Sequence, residues 1–235
     1  MKANLSYKEQ LLQNIASKSA TVGVIGLGYV GLPLALLFEE SGFPVIGFDI
    51  DPKKPEALHR GESYIKHIGP HRVADAFARG RIQATMDFDR LAECDAILIC
   101  VPTPLGKHRD PDPSYIRNTA DEIALRLRSG QLVVLESTTY PGTTREELKP
   151  HFDARGLTAG DDYFLAFSPE REDPGNPKYH TKNIPKIVGG INSASQEVAC
   201  ALYGAAVETV VPVSSPEVAE GVLAGRQKTR DVSRA

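Results

Sequence analysis

Two kinds of chemistry can be read from residue type and spacing. The first is recognition of phosphate and ribose. Gly26-Leu27-Gly28-Tyr29-Val30-Gly31 is a G-x-G-x-x-G run, and each glycine has its own task. Gly26 permits a tight turn, Gly28 lets the backbone approach a pyrophosphate, and Gly31 lets the next helix pack closely on the preceding strand. Asp49 ends the following apolar run. A carboxylate there accepts hydrogen bonds from a ribose 2′-OH and repels a 2′-phosphate, which favours NAD over NADP. Asp51 is the rival acid, but it falls in the next turn, where its plain task is to start the helix near Pro52. Lys54 is spaced either to touch the same ribose or to be a solvated lysine. The second kind is hydroxyl, carboxylate and guanidinium chemistry. It is offered by Cys100-Val101-Pro102-Thr103-Pro104, by Glu136 to Thr144 (ESTTYPGTT) and by Phe167 to Pro177 (FSPEREDPGNP). Taken singly, each of these is ordinary turn chemistry, because Pro, Gly, Ser and Thr are turn residues.

These residues need elements to hold them. Apolar runs of β type occur at 21–26, 44–49, 95–101, 131–137, 163–168 and 208–213. Between the first two, YVGLPLALLFEESG predicts a helix with Pro33 in its first turn and Gly42 as its stop. PSYIRNTADEIALRLRSG predicts another, capped by Ser114 and ended by Gly130. Continuous apolar strands alternating with helices mean a mostly parallel, doubly wound α/β sheet of Rossmann type with helices on both faces. The glycine run then follows a strand and opens a helix, the context that turns a weak motif into a dinucleotide site. All three hydroxyl-rich segments close strands, and so does the proline-rich loop at 102–113. In such sheets the carboxyl edge is where ligands bind. The expected divisions are a helical extension over 1–20, with Leu5, Leu12 and Ile15 on one side, a cofactor domain over 21–213, and a divergent tail over 214–235.

The chain has 235 residues, 41% hydrophobic and 24% charged, with net charge −3. Such a composition supports a packed core without disulfides and argues against a nucleic-acid surface. No apolar run approaches the ~20 residues that span a bilayer, and the N-terminus lacks the apolar centre of a signal peptide. Three cysteines cannot all pair. Cys94 and Cys100 lie around a core strand and Cys200 among alanines on a helix, the setting of inert thiols. A reduced, cytoplasmic protein with no metal site is the simplest reading.

With GLGYVGLP, GFDID and the SYIKHI segment at 63–68, the strand-end motifs resemble the UDP-glucose/GDP-mannose dehydrogenase family, in particular its UDP-N-acetylglucosamine 6-dehydrogenase branch. The resemblance runs from about Thr21 to Glu220. It implies oxidation of a nucleotide-sugar C6 hydroxyl to a carboxylate with reduction of two NAD⁺, for surface-polysaccharide precursors. A cysteine thiolate forms the thiohemiacetal and thioester that make the second hydride transfer possible, and a lysine stabilises the oxyanions. By motif position, Tyr29, Val30, Asp49, Lys54 and Thr103 correspond to cofactor contacts. Thr138 corresponds to a threonine near the nicotinamide and the catalytic water, and Glu170 to the catalytic glutamate. Arg171 and Glu172 correspond to UDP-sugar contacts. Lys186 is a further substrate candidate, or a surface lysine after a turn. Full-length members are expected to be homo-oligomers.

The resemblance fades after Glu220. The family's long helix with the lysine, its glycine-rich loop with the cysteine and its second Rossmann-like domain have no counterpart in GVLAGRQKTRDVSRA. The expectation is a truncated or frameshifted chain, inactive on its own. Two other readings stay open: a non-catalytic NAD-binding module, and a β-hydroxyacid-type dehydrogenase sharing the first domain. The SPEREDPGNP segment disfavours the second.

Overall fold

The computed structural model describes residues 5–66, 68–104, 112–169 and 184–222. Four of the strands in which every residue is buried are β1 (Val22–Ile25), β4 (Ala96–Ile99), β5 (Leu132–Leu135) and β6 (Phe164–Phe167). With no polar position to turn towards water, they form the interior of a sheet covered on both faces. On one side of β1 lie β2 (Val45–Phe48) and then β3 (Ile82–Thr85). Beyond β6 come β7 (Lys186–Gly190) and β8 (Val210–Pro212), giving the order β3-β2-β1-β4-β5-β6-β7-β8. The first six strands are parallel. Strand β7 runs antiparallel to β6, and β8 follows β7. The chain therefore reverses strand direction at the far end of the sheet.

Alternation along the strands sends their side chains into two cores. Val22, Val24, Leu98, Val134 and Ala166 face α1 (Tyr7–Ala16), α2 (Gly31–Glu40), α4 (Pro70–Ala78) and α7 (Ser193–Gly204), with α3 (Lys53–His59) at that layer's margin. Ile25, Ile97, Ile99, Val133, Leu135 and Phe167 face α5 (Ser114–Arg126), α6 (Lys149–Asp153) and a 3₁₀ turn at Phe88–Glu93. This is the doubly wound sheet that the sequence pattern predicts. Strand order reverses between β1 and β4, and the crevice at that point is where such folds take their ligands.

Several local expectations are corrected. In α1 the buried side chains are Leu11 and Ile15, while Leu5 precedes the helix and is exposed. Ser6 caps α1 through a reciprocal pair with Glu9. Ser114 does not cap α5. The Asp112 carboxylate accepts its N–H instead, and the helix ends at Arg126, before Gly130. Strands β3 and β7 were not among the predicted runs. IQAT is short with one exposed residue, and KIVGG hides its strand character behind two glycines. The tail expected over 214–235 is helical at 216–222, and 223–235 lie outside the described residues.

Candidate functional site

At the β1–β4 crevice the structure opens a cleft of about 960 Å³. Its lining includes Gly26, Gly28, Tyr29, Val30, Asp49, Lys54, Thr103 and Thr138. Gly31, the first residue of α2, sits directly behind them. The sequence motifs therefore converge although they come from four strand ends.

The glycine loop is built as its spacing predicts. Gly26 has φ +91°, and a Cβ there would meet the Cys100 carbonyl at 2.6 Å. A Cβ on Gly31 would run into the Gly26 carbonyl, so α2 can start this close to β1 only with glycine. Above Gly28 there is open space. No side chain caps the N-terminus of α2. An uncapped helix N-terminus with unobstructed backbone in front of it is a natural seat for a pyrophosphate.

Asp49 and Lys54 meet. The Asp49 Oδ2 lies 2.7 Å from Lys54 Nζ and also accepts the Leu27 N–H at 2.8 Å. Its Oδ1 accepts the Asp51 N–H at 3.0 Å. The carboxylate is nearly buried, the ammonium half-buried, and both edge the cleft. Asp51 takes the turn role expected of it, its carboxylate accepting the Lys53 N–H at the start of α3.

Across the crevice, the end of β5 is tied to the end of β4. The Glu136 N–H donates to the Ile99 carbonyl at 2.9 Å, and the Ser137 hydroxyl donates to the Val101 carbonyl at 2.7 Å. These bonds bring Thr138 and Thr103 to one wall. Lys186 is not a surface lysine. It opens β7 and is 6% exposed, with its Nζ 2.5 Å from the Glu136 Oε2. Glu170, Arg171 and Glu172 lie outside the described residues.

The sequence reading missed five residues. Tyr64, in the SYIKHI segment, donates its hydroxyl to the Leu27 carbonyl at 2.7 Å. The Leu27 peptide is thus held at both ends, by Tyr64 and by Asp49. Tyr115, Asn118 and Thr119 of α5 line the cleft. Their signal was position: they begin the helix that follows the proline-rich loop. Tyr203 joins Glu136 and Lys186 in a cluster that no sequence spacing reveals.

Two of the three cysteines are buried and the third is partly buried. Cys94 is fully buried, and burial pushes its thiol up to about 12. Cys200, on α7, is also raised by burial. Cys100 is buried at the base of the cleft. No group of three His, Cys, Asp or Glu side chains among the described residues could hold a metal, and no described helix is long and apolar enough to cross a membrane.

The geometry agrees with the chain's relatives. The model of the UDP-glucose/GDP-mannose dehydrogenase family, NAD binding domain, matches residues 20–207. A UDP-N-acetyl-D-glucosamine 6-dehydrogenase of Pseudomonas aeruginosa is 31% identical over 220 residues, covering 93% of this chain and 51% of that protein. A UDP-N-acetyl-D-mannosamine dehydrogenase of Pyrococcus horikoshii is 32% identical, covering 91% of this chain and 51% of that protein. Among solved structures, an NDP-N-acetyl-D-galactosaminuronic acid dehydrogenase from Methanosarcina mazei Go1 superposes with a TM-score of 0.85 at 34% identity. That match covers 97% of this chain and 50% of the other. The chain spans about half the length of the curated relatives it matches.

Proposed function

The chain belongs to the UDP-glucose/GDP-mannose dehydrogenase family and carries its NAD-binding domain, and on that premise we propose that it is the cofactor-holding half of a UDP-N-acetylhexosamine 6-dehydrogenase acting in the cytoplasm. One observation carries the reading. The glycine loop, the Asp49–Lys54 pair, Thr103 and Thr138 line a single cleft at the switch point of the sheet. Residues 21–213 act as one cofactor-binding unit, with α1 packed on it.

Gly26, Gly28, Gly31 and the start of α2 seat the pyrophosphate, with Tyr29 and Val30 beside it. Asp49 and Lys54 take the adenosine ribose. Thr103 and Thr138 face the nicotinamide half. When bound, NAD⁺ supplies the hydride acceptor. Thr138 orients water near the reacting carbon and Glu170 assists proton transfer, while Arg171 and Glu172 contact the UDP-sugar. The acetylated hexosamine follows from relatives that act on N-acetylated sugars. The full-length protein is proposed to work as a homo-oligomer.

On its own the chain turns over no sugar. Oxidation beyond the aldehyde needs a thiolate at C6, and the settings of Cys94, Cys100 and Cys200 supply none. An absorbance assay for NADH with NAD⁺ and UDP-N-acetylglucosamine tests this. The expected result is cofactor binding without turnover. Steady NADH production, abolished by alanine at one of the three cysteines, would sink it. Failure to bind NAD⁺ would sink the cofactor role.

A further inference from the structure

Glu136, Lys186 and Tyr203 form a buried polar cluster at the cleft wall, where Glu136 is itself part of the lining. Tyr203 donates its hydroxyl to the Glu136 Oε1, and Lys186 Nζ, paired with Oε2, sits 5.4 Å from the centre of the Tyr203 ring. Glu136 and Tyr203 are fully buried. The sheet register explains how the groups meet. Leu135 pairs with Phe167, so Glu136 lies beside Ser168, a small residue that leaves room for the pair to reach across β6 from the end of β5 to the start of β7. The cluster therefore ties the end of β5 and the start of β7 to α7 across β6.

Stability alone does not call for such a group. Apolar side chains of similar size replace a buried ion pair at little or no cost, whereas breaking one partner is costly. What a directional cluster adds is a fixed position, and here the fixed object is a cleft wall. Glu136 immediately precedes Ser137 and Thr138. Its own N–H and the Ser137 hydroxyl hold the β4 end that leads to Thr103. The glycine loop, Asp49 and Lys54 lie on the other side of the switch point, at the ends of β1 and β2.

We propose that Glu136, Lys186 and Tyr203 are positioning residues for the nicotinamide half of NAD, setting the wall that carries Thr138 and Thr103 while leaving the adenosine half untouched. This rests on the reading of the cleft as the NAD site. The test compares the dissociation constants of NAD⁺ and ADP-ribose, which lacks the nicotinamide, by calorimetry. The variants are Tyr203→Phe, Lys186→Met and the double change Glu136→Leu with Lys186→Met.

Wild-type protein is expected to bind NAD⁺ more tightly than ADP-ribose. Each variant should lose about tenfold in NAD⁺ affinity, less for Tyr203→Phe, with ADP-ribose unchanged within about twofold. The double variant replaces the pair with apolar groups and takes an acceptor from the Tyr203 hydroxyl, so it should fold with a modestly lower melting temperature and still lose the preference. It decides the matter if Lys186→Met does not fold. Equal loss for both ligands, or no loss in the folded double variant, overturns the proposal. Wild-type protein that binds NAD⁺ no better than ADP-ribose overturns it too. Binding of neither ligand overturns the cleft reading and the proposal with it.

Discussion

Asp49 already accepts three hydrogen bonds, from Leu27, Asp51 and Lys54. A carboxylate has about four acceptor positions, so one remains on Oδ1 for a ribose hydroxyl. Its charge, half-neutralised by Lys54, still disfavours a phosphate at the 2′ position. Asp49→Asn removes that charge and leaves Lys54 without its partner beside the same position. The ratio of NADP⁺ to NAD⁺ affinity should then rise by about tenfold, or ~1.4 kcal/mol, in parallel titrations; an unchanged ratio would remove Asp49 from cofactor selection. Tyr64→Phe tests the other end of the Leu27 peptide. Losing one hydrogen bond of about 1 kcal/mol should weaken NAD⁺ roughly fivefold, with little change in fold by circular dichroism. Gly26, Asp49 and Lys54 were legible in the sequence because their tasks depend on local spacing. Tyr64 was not, since only the tertiary fold carries its hydroxyl to Leu27. The same holds for Lys186, whose partner Glu136 lies 50 positions away.

At the scale of elements, the helical turn at 216–222 is held to the body by two acids, Glu217 through its 2.7 Å pair with Arg145 and Glu220 from within. The buried Glu220 accepts the N–H groups of Gly142 and Thr144 at 2.6 and 2.9 Å, and the Thr144 hydroxyl at 2.7 Å. These donors start the helical run through Thr144–Leu148 into α6, so a distant carboxylate serves as its cap. Burial raises the Glu220 pKa against the opposing effect of these bonds. A raised folded pKa stabilises the fold below the unfolded value and loses that contribution as pH rises through the folded one. The melting temperature of Glu220→Gln relative to wild type should therefore improve between about pH 4 and about pH 7. A difference that stays flat over this range would show that Glu220 does not titrate as described. Glu220→Ala strands the donors and should cost about 1–3 kcal/mol in denaturant unfolding. The interior strands were legible because each is an unbroken apolar run. The reversed end was not. Neither β7, with its Gly189-Gly190, nor the edge strand β8 carries the signal of its direction, which is set by pairing.

For the whole molecule, the cleft lies within a single sheet, so cofactor binding should be felt globally. At 100 times its dissociation constant a ligand adds ~2.7 kcal/mol. For a chain of this size that is roughly 5–10 °C in melting temperature. NAD⁺ should produce such a shift, and UDP-N-acetylglucosamine much less; equal shifts would place the sugar-nucleotide site within this half. Fold class was readable because alternating strand and helix patterns leave few architectures. The UDP-sugar contacts were readable only as motif positions. The packing of α1 has a kinetic consequence. Lys8 pairs with Glu197, and Lys18 reaches the Ala205 carbonyl while lying 4.3 Å from the Phe43 ring centre. The first helix therefore closes on α7, and most of the chain must be synthesised before its apolar side finds that partner. Until then Leu11 and Ile15 are available to other surfaces. A growing chain should gain protease resistance late and abruptly, as this longest-range contact closes.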